Sequence, residues 1–253
     1  MKIHEKFQNG IEKLFFKGNS NKWSERISYW LGNLFVMLLL FFIGIQLILY
    51  EWTGQLYSEG EGYHLDFVFG PLDNLIPFVP EMAIFYVYLF YSMVVLTMLY
   101  FAFVDYDKGY ALGWSLVIIG AISILIYIFF PVSTYWWRQE LLSNKIEGNY
   151  FADVMYDYYQ SDTSFNCLPS LHAAVSTICA FTWYQYYKLD KTLPRKIIAI
   201  TSIIIATGVV LSTLFVKQHY IIDEFIGVFL AYAVGKYVFF YLWKDFGVQE
   251  YRY

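Results

Sequence analysis

Six long apolar stretches constrain the fold of this chain more than any other feature of its sequence. A helix needs about 20 apolar residues to cross the hydrocarbon core of a bilayer, and each stretch reaches that length. The first five contain no Asp, Glu, Lys or Arg. The sequence therefore predicts an all-α fold, a polytopic membrane protein built as a bundle of six transmembrane helices. The predicted spans run approximately from Ile27 to Tyr50, Met82 to Val104, Ala111 to Phe130, Leu168 to Tyr187, Ile197 to Val216 and Ile221 to Trp243.

The composition agrees with a membrane protein. Of the 253 residues, 58% are hydrophobic, 23% are aromatic and only 15% are charged, whereas soluble domains carry about 25% charged residues. The 25 Tyr and 8 Trp suit two membrane interfaces, where amphipathic rings collect. With a net charge of -4 and no basic block, we expect no nucleic-acid partner. The two cysteines, Cys167 and Cys179, form no disulfide framework.

The distribution of basic residues predicts the orientation in the membrane. Three loops contain few basic residues, namely 51–81, 131–167 and 217–220, in which the only Lys and Arg are Arg138, Lys145 and Lys217. The positive-inside rule therefore places these loops outside and both termini in the cytoplasm. We therefore expect a multi-pass protein of the cell membrane. The segments on the predicted cytoplasmic side carry most of the basic residues, which are Lys2, Lys6, Lys13, Lys17, Lys22, Arg26, Lys108, Lys188, Lys191, Arg195, Lys196, Lys244 and Arg252.

Several ionisable residues collect on the outward side of the predicted bundle. Arg138 follows the third span, His172 opens the fourth, and His219 and Asp223 open the sixth. Three distant segments thus bring an Arg, two His and an Asp to one membrane face. Ionisable groups near a membrane core are costly, and for that reason each calls for a functional hypothesis.

The spacing of His219 and Asp223 has chemical meaning. Residues four apart share one face of a helix, so the carboxylate can accept a hydrogen bond from the imidazole Nδ1–H. That bond fixes the tautomer and leaves Nε2 free as a nucleophile or base.

The start of the fourth span suits an anion. Pro169 restricts the preceding residue and Ser170 can cap a helix, and a helix N-terminus binds phosphate. His172, one turn inside, can donate a proton to a leaving oxygen. Arg138 and Lys217 can neutralise phosphate charge, the Arg bidentately.

Each of these residues also has a purely structural explanation. A single His at a membrane interface is more often a structural residue held by hydrogen bonds than a catalytic one. The pattern H-x-x-x-D by itself also occurs by chance. Ser170 can be only a cap, and Arg138, beside Trp136 and Trp137, can be an interfacial anchor. The conjunction of two histidines with basic partners at one membrane face favours a catalytic site.

At these residues the chain resembles the type 2 phosphatidic acid phosphatase (PAP2) superfamily, whose motifs are K-x6-R-P, P-S-G-H and S-R-x5-H-x3-D. The second motif reads P-S-L-H at 169–172, and the third runs from Ser212 to Asp223 with His219 in place. The first survives only as Arg138, because Pro131 stands where Lys is expected and Gln139 where Pro is expected. The resemblance covers approximately residues 73–243.

Two departures bear on the function. Thr213 replaces the Arg of the third motif, and we expect Lys217, two residues before His219, to supply that charge. Leu171 replaces the Gly of the second motif. The P-S-L-H and Q-H-Y-x-x-D forms are similar to the branch that includes inositol phosphorylceramide synthases, which are transferases.

The resemblance implies a mechanism. His219 would attack phosphorus and form a phosphohistidine, Asp223 would orient it, and His172 would protonate the leaving alcohol. Arg138, Lys217 and Ser170 would hold the phosphate. We expect no metal and no cofactor, since no carboxylate cluster suited to Mg²⁺ accompanies these residues.

The resemblance also implies three parts of the chain: a cytoplasmic segment (1–26), a six-span PAP2-like catalytic domain (27–243) and a cytoplasmic tail (244–253). The segment before the first span can be a short interfacial helix or a solvated tail.

Four functions remain open. The first is a membrane lipid phosphatase or diphosphatase acting on a lipid or isoprenoid phosphate. The second is a phosphotransferase with a second alcohol as acceptor, bound near 51–81 or 153–162. The third is a haem protein with His172 and His219 as axial ligands, and the fourth is a non-catalytic scaffold that kept the fold.

Overall fold

The computed structural model describes residues 43–58 and 60–239, and this part of the chain is helical. Its pairing of extended backbone consists of one isolated bridge, between Tyr63 and Val132. The predicted all-α class is therefore confirmed for the described residues. The helices are α1 (43–54), α2 (Asp66–Leu75), α3 (Phe90–Phe103), α4 (Tyr106–Phe129), α5 (Tyr135–Ser143), α6 (Tyr150–Ser161), α7 (Leu171–Leu189), α8 (Leu193–Phe215) and α9 (Ile221–Val234).

Two helices have extensions of different winding. A 3-10 turn at Pro80–Met82 and a π-helical segment at Ile84–Leu89 lead into α3, and a π-helical segment at Gly235–Phe239 continues α9. Pro80 opens the first of these turns, where a missing backbone N–H costs nothing because that group has no helical partner.

Within residues 43–58 and 60–239, three helical segments are long and apolar enough to cross a membrane: Pro80–Ala102, Lys108–Phe129 and Leu193–Phe215. They coincide with the second, third and fifth predicted spans, and they indicate a membrane protein. The six-span bundle itself stays a prediction. Residues 27–42 of the first predicted span and 240–243 of the sixth lie outside the described part of the chain.

The fourth predicted span, α7, is helical but falls short of these three in apolar character, and its position in the fold explains why. It packs against α8, α9, α4 and α3, so that neighbouring protein surrounds much of its surface. Its buried residues include Ser176 and Thr182, whose hydroxyls donate to the backbone carbonyls of Ala173 and Ile178. A helix enclosed by other helices can carry such groups because they are satisfied internally.

The apolar core lies where α7 meets the other helices. Small buried residues on α7 let the neighbouring backbones approach closely, as is usual for helix contacts in membranes. The outer faces of α3, α8 and α9 instead expose large apolar side chains, as a surface in contact with lipid requires. Examples of these exposed side chains are Leu96, Ile204 and Phe229.

A close backbone contact joins the start of α7 to the first two turns of α9. A Cβ atom placed on Gly227 would lie 2.5 Å from the carbonyl oxygen of Ser170, which real Cβ atoms do not tolerate. The backbone N–H of Ser170 donates to the carbonyl oxygen of Asp223 at 3.1 Å. Gly227 is therefore required for the approach that places Asp223 beside the start of α7.

We predict that Gly227→Ala destabilises the protein, because the new methyl group must push α9 away from α7. Overpacking of this kind costs about 1–3 kcal/mol. Thermal unfolding in detergent should show a lower midpoint than wild type. Gly44→Ala is the matched control, since no atom of the described residues lies within 4 Å of a Cβ there, and it should not lower the midpoint. An unchanged midpoint for Gly227→Ala would disprove the tight contact.

Two single substitutions at exposed positions test the predicted orientation of the loops. They are Glu147→Cys, between α5 and α6, and Lys191→Cys, between α7 and α8. A membrane-impermeant maleimide added to intact cells should label Glu147→Cys, and Lys191→Cys should react only after the membrane is opened. Wild type is the control, because Cys167 and Cys179 are both buried. The opposite pattern would invert the topology.

Candidate active site

The structure brings the two predicted catalytic histidines together from different parts of the chain. His172 lies in the first turn of α7, and His219 lies in the short segment between α8 and α9. Their ring centroids are 6.0 Å apart, and both side chains are buried. The sequence predicts this proximity only because both histidines are expected at the same face of the membrane.

His219 faces Asp223, although no good hydrogen bond joins them. Its Nδ1 atom lies 3.5 Å from Asp223 Oδ2, longer than the usual N–H···O range of about 2.7–3.2 Å. The same Oδ2 accepts the backbone N–H of Tyr220 at 2.9 Å. His219 Nδ1 and Asp223 Oδ1 are buried without hydrogen-bond partners. The predicted pair thus exists as a close contact. One carboxylate oxygen of Asp223 is already engaged in a hydrogen bond that caps the first turn of α9.

Aromatic rings enclose His172. The Tyr86 ring stacks on it with a centroid distance of 4.4 Å, and the Phe90 ring packs at 4.5 Å. Its Nε2 atom is buried without a hydrogen-bond partner. Since buried ring nitrogens usually have one, this atom is available to a ligand. Neither aromatic neighbour could be identified from the sequence, because both lie in another predicted span.

Ser170 caps α7, as predicted. Its Oγ accepts the backbone N–H of Ala173 at 3.2 Å. The residue is fully buried, and its own N–H bonds to Asp223 as described above. The positive end of the α7 dipole therefore lies beside the His219–Asp223 pair.

Arg138 is buried and held by the protein. Its Nη1 donates to the Asp162 carbonyl oxygen at 2.9 Å, and its Nη2 donates to Gln218 Oε1. The Asp162 carboxylate lies 3.7 Å from Nη2, and the Tyr159 ring lies 5.5 Å from the guanidinium carbon. Only Nε lacks a partner. The sequence analysis missed Asp162 and Gln218 as partners of Arg138, although Gln218 stands directly before His219.

Lys217 has a backbone role that its sequence position concealed. Its φ of +53° lies in the left-handed region, and it occupies the position after the C-cap of α8 that glycine usually takes. Its N–H donates to the Leu214 carbonyl at 3.1 Å, and the Gln218 N–H donates to the Thr213 carbonyl at 2.9 Å. These are the two bonds of a Schellman motif, which turns the chain so that His219 faces His172.

The amino group of Lys217 lies against α2 and α5. Nζ donates to the Asp73 carbonyl oxygen at 2.8 Å and lies 4.7 Å from the centroid of the Trp137 ring. The structure thus shows Lys217 bound to the wall of the site. Its predicted role as replacement for the missing motif Arg stays a prediction.

Burial controls the electrostatics of these loop residues. It lowers the pKa of His219 to about 3, with the Cys167 backbone partly opposing the shift. It lowers the pKa of Lys217, against the influence of Asp73 and Glu140. It raises the pKa of Asp162 to about 6 while Arg138 opposes it. His219 is therefore neutral at physiological pH, the form in which an imidazole nitrogen is nucleophilic.

Glu224 is a second buried carboxyl that the sequence analysis did not single out. It is 3% exposed, and it lies beside the hydroxyls of Ser170 and Thr213. Neither carboxylate oxygen makes a hydrogen bond of good geometry there, because the Thr213 hydroxyl donates to the Val210 carbonyl instead. A carboxyl thus stands next to the position where the third motif normally carries Arg.

Cys167 also belongs to this cluster. Its sulfur, a nitrogen of His219 and a carboxylate oxygen of Asp223 all lie within 4.8 Å of one another. Cys167 ends the loop before the fourth predicted span, and no motif in the sequence indicated its contact with His219.

Residues 146–246 match the family model of the PAP2 superfamily. No curated protein and no solved structure matches the chain significantly. The matched region contains Ser170, His172, Lys217, His219 and Asp223, whereas Arg138 precedes it.

We predict that Lys217 contributes its charge as well as its backbone conformation. Lys217→Gly keeps the left-handed conformation and removes the amino group, whereas Lys217→Ala also adds backbone strain of about 1–2 kcal/mol. Both variants should lose on the order of 10²-fold in kcat/KM, the effect of removing one transition-state donor. Both variants lose the bond from Nζ to the Asp73 carbonyl oxygen, and Lys217→Ala should unfold at a lower temperature than Lys217→Gly because only alanine adds the backbone strain. A kcat/KM of Lys217→Gly within about threefold of wild type would leave only the backbone role.

Proposed function

We propose that the chain is a member of the PAP2 superfamily, whose family model matches residues 146–246 as the motifs predicted, and that it is a membrane lipid phosphatase or diphosphatase. Its substrate is a phosphomonoester or diphosphate of a lipid or isoprenoid, which it hydrolyses through a phosphohistidine. The observation that carries this proposal is the His172–His219 pair, 6.0 Å between centroids, with a free Nε2 on one ring and Asp223 beside the other.

In the first step, the Nε2 lone pair of His219 attacks phosphorus. A nitrogen–phosphorus bond forms and the bond from phosphorus to the leaving oxygen breaks. His172 gives its Nε2 proton to that oxygen, and the lipid alcohol departs. Asp223 stabilises the positive charge that develops on His219, as the carboxylate of a catalytic triad does for its histidine. The negative phosphate favours the protonated form of His172 while substrate is bound.

In the second step, water attacks the phosphohistidine. His172, now neutral, accepts the proton of the water molecule as the new phosphorus–oxygen bond forms. The nitrogen–phosphorus bond breaks, and free phosphate leaves while His219 is restored. The N-terminal end of α7 and Arg138 stabilise the transferring group with preorganised donors. For Arg138 this requires that Nε, or an Nη group released from Asp162 or Gln218, faces the phosphate.

The proposed site faces outward, and the protein resides in the cell membrane. Support comes from the charge distribution of the loops together with the position of His219 between two helices. The haem and scaffold hypotheses gain nothing from the family match, which points to phosphate chemistry.

A specific observation favours phosphotransfer as the second candidate function. Few positively charged side chains at the site are free to bind phosphate. Pro131 and Thr213 stand where the motifs have Lys and Arg, and Arg138 already contacts Asp162. Glu224 adds a buried carboxyl beside Thr213. A phosphodiester carries one negative charge and needs less neutralisation than a monoester dianion. Such a substrate, with an alcohol in place of water in the second step, gives a transferase similar to inositol phosphorylceramide synthases.

We predict that the two histidines respond differently to the leaving group. His219→Ala should abolish turnover of both a lipid phosphate and a nitrophenyl phosphate, because no phosphohistidine can form. His172→Ala should retain much more activity on the nitrophenyl ester, whose leaving group needs little protonation, since general acid catalysis is worth about 10² to 10⁴-fold. The measurement is kcat/KM for each variant on both substrates.

The control for folding is elution of each variant at the wild-type volume in detergent. Asp223→Asn should resemble a weaker His219→Ala. If His172→Ala lost activity equally on both substrates while the good leaving group rescued His219→Ala, the assigned roles would be reversed. Product analysis with and without an alcohol acceptor separates hydrolysis from transfer.

We predict that activity persists in EDTA, because the proposed electrostatic stabilisers are Arg138, Lys217 and the backbone N–H groups of α7. Phosphate release is measured before and after chelation, with Mg²⁺ added back as the control. Loss of activity that Mg²⁺ restores would refute the metal-independent mechanism.

A further inference from the structure

We propose that Cys167, His219 and Asp223 form a binding site for a zinc-like divalent cation, and that the bound cation inhibits the enzyme. Binding at this site does not depend on the proposed function. The inhibitory consequence does, because it assumes that His219 is the nucleophile.

The first argument is geometric. The three ligand atoms lie within 4.8 Å of one another, and His219 Nδ1 lies 3.5 Å from Asp223 Oδ2. Two ligands of a tetrahedral zinc, each about 2.0–2.3 Å from the metal, are separated by roughly 3.3–3.7 Å. The imidazole Nδ1 and the carboxylate Oδ2 already have this separation, although Oδ2 also accepts the Tyr220 N–H. The Cys167 sulfur lies within 4.8 Å of its two neighbours and can complete the site by a small movement of its side chain.

The second argument is that two polar atoms of this cluster lack partners, while the Cys167 sulfur contacts the carbonyl oxygen of Ser164 and Asp223 Oδ2 accepts the Tyr220 N–H. His219 Nδ1 and Asp223 Oδ1 are buried without hydrogen bonds, and the two side chains are 6% and 0% exposed. Buried polar atoms usually have partners, so such atoms require an explanation. A cation between them satisfies the nitrogen and the carboxylate together.

The third argument is the chemistry of the donor set. Sulfur, imidazole nitrogen and one carboxylate oxygen are ligands of Zn²⁺ and related transition metals, whereas Mg²⁺ and Ca²⁺ prefer oxygen alone. Binding forms the metal–sulfur bond and releases the thiol proton to solvent, with no change in oxidation state. Burial raises the pKa of Cys167, so the charge of the cation must favour the thiolate. Affinity therefore increases with pH.

The inhibitory effect follows from which atoms the cation occupies. It binds Nδ1 and withdraws electron density from the ring, which weakens Nε2 as a nucleophile. It also takes the Asp223 carboxylate, which can then no longer stabilise positive charge on His219. Three protein ligands and an open position are equally the pattern of a catalytic zinc. In that case zinc would activate the enzyme, and this outcome would overturn the proposal.

Cobalt(II) titration of the full-length protein in detergent tests binding without any need for activity. A tetrahedral site with a thiolate ligand gives intense visible bands and a thiolate-to-cobalt charge-transfer band in the near ultraviolet. The chain has two cysteines. Cys179, which is buried in α7 beside Met93 and Ala206, provides the matched control. The charge-transfer band should persist in Cys179→Ala and disappear in Cys167→Ala.

If Cys167→Ala does not fold, Cys179→Ala still decides the question, because Cys167 is then the only thiol present. Absence of the band in that variant would disprove the site, as would a band that survives in a folded Cys167→Ala. Zinc should inhibit phosphate release by wild type, EDTA should reverse the inhibition, and Cys167→Ser should need at least about 10-fold more zinc. Equal zinc sensitivity of Cys167→Ser and wild type would show that any inhibition arises elsewhere.

Discussion

The contact between the first turns of α7 and α9 is the constraint on which the site depends. Gly227 lets the α9 backbone reach Ser170, and the Ser170 N–H bonds to the Asp223 carbonyl at 3.1 Å. This contact joins the helix that carries His172 to the helix that carries Asp223, and His219 precedes the latter by a few residues. A substitution that separates these two helix ends would change the distances among all three residues at once.

Several predicted phosphate ligands also hold the fold together. Ser170 caps α7, Lys217 provides the left-handed residue that ends α8, and Arg138 ties α5 to the Asp162 and Gln218 segments. Such residues have structural partners before any ligand arrives, which limits how much charge they offer to phosphate. The replacement of two motif cations by Pro131 and Thr213 has the same effect, and Glu224 beside Thr213 strengthens it. The charge available at the site thus suits a substrate of low negative charge, which is the physical basis of the transferase alternative.

Burial gives the site its chemical character. His219 is buried beside His172 and the start of α7, so its charged imidazole is disfavoured, and electrostatic interactions at the site are stronger than in water. The same burial leaves ring nitrogens and carboxylate oxygens without partners. Those unpartnered atoms, together with the nearby Cys167 sulfur, form the set at which we propose that a zinc-like cation binds.

The sequence by itself determined the helical class, the positions of the long apolar segments and the motif residues from Ser170 to Asp223, because apolar length and motif spacing are local properties of the chain. It also predicted that Ser170 caps a helix, since capping depends on adjacent residues. It could not identify Asp162 as the partner of Arg138, Tyr86 and Phe90 as the rings around His172, or Cys167 as a neighbour of His219. Only the tertiary structure decided these contacts, because they join segments far apart in the chain, and helix packing rather than spacing sets which of their side chains meet.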